Sequence, residues 1–404
     1  MDNMTHSLVG LALGELVDRA LPAASDPARA QTRRRVLLVT GLLASNFPDL
    51  DLILTPLLPA PLGYLIHHRG HTHTLLYALP QVALLLGLMW LLWPGARRLL
   101  REDGRARRAV LATALLGMVL HLSFDALNVY GVHPFAPFDG RWLYGDLVFI
   151  VEPVFWTALG VALALLRGPR LRWLLLAFFA AAPLLFTWLG FLPWGSLALL
   201  AAIGVAVGAA HLHWRGRAGL VTACALCLTF VGVQGLASQQ ARAQVSAALA
   251  QVAPGARVLD IPLSSFPANP LCWSFATVSE DAGAAYGVRV GVLSLAPAIT
   301  PVSSCPARFG GQPASTEPAL AWTFSQTRSL AEFRQLQRDN CHFDAWLRFA
   351  RVPALENGVA TDVRFGAPDA PNFSTLPYAE RQPTPCPAPL PGWGYPRADL
   401  LGRK

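Results

Sequence analysis

Residues 1–236 are a series of apolar stretches cut at intervals by arginine clusters. A membrane-spanning helix needs about 20 mostly apolar residues. Stretches 5–21 (weak), 36–58, 75–94, 109–130, 148–166, 173–192, 196–213 and 219–236 are the candidates. The clusters comprise Arg29, Arg33, Arg34 and Arg35; Arg97, Arg98, Arg101, Arg105, Arg107 and Arg108; Arg167, Arg170 and Arg172; and Arg215 and Arg217. They hold 15 of the 18 basic residues before position 237. Two candidate spans separate each cluster from the next, so all four lie on one side, which the positive-inside rule makes cytoplasmic.

The expected fold is therefore mainly α: a polytopic helical membrane bundle of about 7–8 spans over residues 1–236, then a small extracytoplasmic mixed α/β domain over 237–404. The charged fraction of 14% fits this reading, since soluble chains carry about 25%. Of the formal +8, +6 falls in residues 1–236. The basic excess is thus topological and does not point to nucleic acid. The first residues, MDNMTHSLVGLALGELVDRA, have no basic leader region and place Glu15, Asp18 and Arg19 where an apolar core would run, so no cleaved signal peptide is expected.

The same alternation puts HHRGHTHT (67–74), residues 131–147 and the tail outside, which in a bacterium is the periplasm. The tail carries Cys272, Cys305, Cys341 and Cys386, enough for two disulfides in an oxidising compartment, with three possible pairings. Residues 237–253 read as an amphipathic helix, CWSFATV, YGVRVGVLSL and GVATDVRFG as strands, and 329–350 as a helix.

Polar residues converge on that outer side. At about 1.5 Å rise per residue, Asp49 and Asp51 fall in the outer third of their span, as do His121 and Asp125 of theirs, while His6 lies at the outer end of the first stretch. Ionisable groups at such depth are costly and mark function. His121 and Asp125 are i, i+4 and share a helix face. Asp49 and Asp51 are i, i+2 and face one point only if the helix breaks, which Pro48 favours. In HHRGHTHT, Gly70 permits a tight turn that brings His68 and His73 toward one point. Arg69 suits an anionic substrate. The reading assigns His6, Asp51, His68, His73, His121 and Asp125 as metal ligands, and Asp49 and Arg69 to catalysis. Weaker candidates are His67, His71, Asp146 and Glu152. Mixed His/Asp ligation suits Zn²⁺, with Mn²⁺ or Fe²⁺ as alternatives.

MTHSLVG, NFPDLD, HHRGHTHT and HLSFDALNVYGV with HPFAPF resemble the YdjM-type inner-membrane proteins, described as metal-dependent hydrolases. The resemblance covers roughly residues 1–155 and falls on His6, Asp49 with Asp51, His68-Arg69-Gly70 with Thr72-His73, and His121 with Asp125. Thr74 replaces a more usual serine, and His71 stands where an apolar residue is expected. The H-x-x-x-D element is distantly similar to that of zinc phospholipase C and P1-type nucleases, a fold-level analogy. These likenesses imply a metal-dependent hydrolase at the periplasmic side of the bacterial inner membrane, acting on a phosphoester or lipid-linked substrate, with the lipid bilayer and a periplasmic protein as partners. The rival is a non-enzymatic metal-binding membrane protein, a transporter or an envelope-stress factor. A transporter needs polar groups along the whole path; here Glu15 and Asp18 are exceptions in nearly apolar inner halves.

Overall fold

In the computed structural model, residues 1–404 are described except 25, 215–216, 282, 307–317, 381–383, 389–390 and 403–404. Arg215 of the fourth arginine cluster lies outside the described residues. The chain folds as two compact units. The first comprises Met1–Leu50, Thr72–Leu127 and Ile150–Gly232; the second comprises Asp51–His71, Asn128–Phe149 and Val233–Lys404. The sequence division at 236/237 is close to the last of these boundaries, but two earlier segments join the tail rather than the bundle.

The first unit is helical: α1 (Asn3–Ala20), α2 (Pro27–Ala44), α4 (Leu75–Leu92), α5 (Pro94–Glu102), α6 (Gly104–Ala126), α7 (Pro153–Leu165), α8 (Pro169–Trp188), α9 (Trp194–Trp214) and the start of α10 (Ala218–Val252); α3 (Leu62–His67) belongs to the second unit. Among the described residues, five helices are long and apolar enough to cross a membrane, or six if a pair bent by 55° counts as one span. That is fewer than the expected 7–8. Glu15, Asp18 and Arg19 make α1 too polar. Pro153 starts α7 late and leaves it 13 residues, short of a spanning length. The bent pair is α2 with the 3-10 segment that begins at Pro48. Proline lacks the N–H that a continued helix would need, so the helix breaks there as the sequence suggests.

Close helix contact depends on glycine. A Cβ added at Gly10 would lie 2.2 Å from the Gly41 carbonyl oxygen, and one at Gly41 would lie 2.1 Å from that of Gly10. Gly14 meets the Leu37 carbonyl in the same way, at 2.6 Å. Gly10 and Gly14 form a G-x-x-x-G stripe, the pattern that lets helix backbones touch. Ion pairs fix the far end of the same crossing: Arg34 to Glu15 at 2.9 Å and Arg33 to Asp18 at 2.8 Å. Glu15 and Asp18 thus have a structural function. Gly41→Val should force α1 from α2 and cost roughly 1–3 kcal/mol, read as a lower melting temperature of the solubilised protein. An unchanged melting temperature would show that the crossing is not tight.

The second unit is built on a five-stranded antiparallel sheet ordered β1-β3-β4-β5, with β2 also paired to β3. The strands are β1 (Arg257–Asp260), β2 (Leu263–Phe266), β3 (Asn269–Asp281), β4 (Ala285–Ser294) and β5 (Leu320–Ser329). Side chains alternate between sheet faces, and β3 uses both. Trp273 and Phe275 pack with Ala241 and Val245 of α10, while Ala276 and Val278 enter a core with Phe333, Phe343 and Trp346. The amphipathic segment at 237–253 is helical as expected and continues α10 out to Val252, 35 residues in all. The expected helix 329–350 is two helices, Leu330–Asp339 and Cys341–Trp346, separated by Asn340, whose side chain caps the second. A hairpin of β6 (Pro353–Glu356) and β7 (Val359–Asp362) follows. Two disulfides form, Cys272–Cys305 and Cys341–Cys386.

Candidate metal centre

The helix break creates part of the centre. Where α2 ends, the Ser45 carbonyl has lost its helical donor, and His121 Nδ1 of α6 donates to it at 2.7 Å. The ring is thereby held with Nε2 turned into the cluster, the arrangement that ligating histidines usually have. His73 is fixed in a similar way, its Nδ1 being 3.0 Å from Thr72 Oγ1. Pro48 turns the chain so that Asp49 joins the two histidines, and Asp125 arrives one helical turn beyond His121. Asp49, His73, His121 and Asp125 are all buried, each with a ligand atom within 4.8 Å of every other.

The separations are informative. His121 Nε2 lies 3.1 Å from His73 Nε2. His73 Nε2 is 3.2 Å from Asp49 Oδ1 and 3.3 Å from Asp125 Oδ2. His121 Nε2 is 3.7 Å from Asp49 Oδ1 and 3.5 Å from Asp125 Oδ2. A regular tetrahedron with bonds of about 2.0–2.1 Å has edges of about 3.3–3.4 Å. Five of the six edges thus scatter about the value that a tetrahedral cation requires. The donor set, two imidazoles and two carboxylates, is also one that borderline divalent metals accept. The residues fit a metal ion.

His6 flanks this group. Its ring stacks on His121 at 3.9 Å, and its Nε2 is 3.3 Å from Asp125 Oδ1. The Met1 amino group also bonds that oxygen. Asn3 donates to Asp49 Oδ2 at 3.1 Å. Sequence reading missed Asn3 and gave Thr72 no role of its own beside His73. The signals were present: Asn3 is i, i+3 with His6, and Thr72 adjoins His73 inside HTHT.

The remaining candidates belong to the second unit, apart from Glu152. His68 Nδ1 is 3.0 Å from Asp51 Oδ1, and its ring stacks on Tyr64. The positive φ in this turn falls on Arg69 (57°), not on Gly70. Gly70 is needed for space instead, since a Cβ there would lie 2.7 Å from the His67 carbonyl oxygen. The buried Arg69 guanidinium lies over the Tyr130 ring and donates at 3.4 Å to Asn128 and to the Gly131 carbonyl. His67 and His71 are exposed. Partial desolvation, and then the charges of His71 and Arg348, push the His67 pKa down. Asp146 is held by Arg351 at 2.8 Å and Arg242 at 3.2 Å, which is a structural position. Glu152 caps α7 by accepting from the Val154 N–H.

Fold and centre together define a helical membrane protein with a buried His/Asp cluster that could hold a metal ion. Residues 1–194 match the family model described as YdjM inner membrane protein. A curated relative, described as uncharacterized protein YfhP of Bacillus subtilis (strain 168), is 29% identical over 153 residues, or 38% of this chain and 42% of that protein. No solved structure matches. The family match contains every residue of the His/Asp cluster; most of the second unit lies beyond it.

Proposed function

We propose that Asp49, His73, His121 and Asp125 bind a divalent transition metal, zinc in the first place, and that the protein is a membrane-embedded hydrolase of phosphoester or lipid-linked substrates. The observation that carries this reading is the set of inter-ligand distances of 3.1–3.7 Å in a buried His₂Asp₂ group. Its depth among apolar helices favours a substrate that resides in the bilayer. The arginine bias and the two tail disulfides support a centre and a tail on the periplasmic side of a bacterial inner membrane.

A bound divalent cation supplies Lewis acidity for a phosphoryl oxygen and activates water near neutral pH. His73 and His121 would hold it through Nε2, with Thr72 and Ser45 fixing the rings. Asp125 would offset its charge. Asp49, whose second oxygen is steadied by Asn3, is the carboxylate placed to accept a proton. Arg69 remains the residue proposed to bind an anion.

One observation favours the non-enzymatic reading: the cluster offers four protein ligands, the number that structural zinc sites have, whereas catalytic sites keep a position open. Assay of the zinc- or manganese-loaded protein on vesicles containing phospholipids and lipid-linked phosphates separates the two. The hydrolase reading predicts phosphate-ester cleavage that Asp49→Asn lowers by about 10²-fold or more. Metal-loaded protein inert on these substrates favours the structural site.

A further inference from the structure

A second polar site lies among the opposite ends of α1, α2 and α6. The pocket has a volume of about 220 Å³ and is lined by residues 21–24 of the α1–α2 turn, Arg29, Arg33, Asp103, Arg105 and Ala106. Gly104 and His121 are 17 residues apart on α6, so at about 1.5 Å per residue the pocket is roughly 25 Å along that helix from the metal centre.

Arg29, Arg33 and Arg105 line it together with one carboxylate, that of Asp103. Asp103 Oδ1 is taken up in capping α6, accepting from the Arg105 and Ala106 amides at 2.9 and 3.0 Å. The Asp103 carboxyl is held below the usual range, first by the Ala106 hydrogen bond and, further down the order, by Arg29 and Arg33, so the cationic field reaches it. Arg33 is largely buried and gives Nε to Asp18 and Nη1 to the Pro22 carbonyl, leaving Nη2 without a hydrogen bond among the described residues. Arg29 is 3.8 Å from Asp103, beyond hydrogen-bonding range. The Arg105 guanidinium has no hydrogen bond or ion pair among the described residues. A positive, polar pocket with uncommitted planar donors has the chemistry of a phosphate site. Its position adds to this: α6 is long and apolar enough to span, and the pocket lies at its first turn, the level at which a bilayer presents lipid phosphates.

We propose that this pocket binds a phosphate group, with Arg29, Arg33 and Arg105 as its cationic ligands. The inference is independent of hydrolysis at the metal centre. The test is native mass spectrometry of the full chain in detergent, titrated with phosphatidylglycerol or phosphatidylcholine, together with calorimetric titration of inorganic phosphate. The double variant Arg29→Gln/Arg105→Gln removes two exposed cations and leaves the Arg33–Asp18 pair in place. It should lower phosphatidylglycerol affinity about 30-fold. The control Arg97→Gln/Arg98→Gln removes equal charge outside the pocket and should lower it less than about threefold. If inorganic phosphate competes with the lipid, the site takes the anion from solution; if it does not, the lipid headgroup is the ligand. Either result, with the variant effect, supports the pocket. Equal losses in both double variants, or none in the first, would overturn it by showing a diffuse surface charge or no site. An unchanged melting temperature guards against misfolding of the variant.

Discussion

Arg351→Met is expected to destabilise the second unit by about 3 kcal/mol. Arg351 is buried and bonds Asp146 at 2.8 and 2.9 Å and Asp260 at 2.7 and 3.1 Å, with its guanidinium over the Tyr144 ring. Removing it strands two carboxylates in a low-dielectric interior. The loss stays near the lower end of the range for such pairs because Arg242 still reaches Asp146 and Arg397 still reaches Asp260. Adding Asp146→Asn should recover part of it, since no uncompensated charge then remains at that position. The pH dependence has a definite sign. Burial raises the Asp260 pKa, but Arg351, together with Arg397 and Arg242, outweighs it, so the folded pKa lies below the unfolded one. Its contribution is present above the unfolded pKa and is lost as pH falls through the folded pKa. Urea unfolding of wild type should therefore weaken in acid through this group, and Arg351→Met should flatten that part of the profile. A variant as stable as wild type at neutral pH would show that the network carries no net stability.

The other large effect concerns metal. Adding zinc at about 1,000 times its dissociation constant should stabilise wild type by about 4 kcal/mol, because only the folded chain presents the assembled ligand set. His121→Ala/Asp125→Ala removes half of that set and should abolish the gain, so that its melting temperature no longer responds to zinc or to a chelator. A zinc response of equal size in the variant would place the ion elsewhere.

Much of this centre could be read from residues alone, and the reasons are local. The i, i+4 spacing of His121 and Asp125 survives any packing, because it is a property of one helix. Pro48 breaks α2 by removing one donor, again a local effect. What the sequence does not show is which partner each polar group finds over long distances. Asp146 looked like a loop carboxylate with a possible role in the site; its partner is Arg351, 205 residues later. The pairing of Asp51 with His68, 17 residues later, is another contact of this kind. Helix lengths were misjudged where apolar composition and helix ends disagree: α7 begins only at Pro153, and α10 continues past its apolar part because Ala241 and Val245 find a sheet to cover. The joining of 51–71 and 128–149 to the tail depends on tertiary packing, with Leu65, Tyr130 and Trp142 entering the core of Phe343 and Trp346. No periodicity in those short segments announces it.

The central claim, a metal ion on Asp49, His73, His121 and Asp125, is most directly tested by elemental analysis of the detergent-purified chain, wild type beside His121→Ala/Asp125→Ala. The account predicts about one transition-metal ion per wild-type chain and none above background in the variant. Wild-type protein that holds no transition metal, even after reconstitution with zinc, manganese or iron, would contradict it, as would a variant that holds as much metal as wild type.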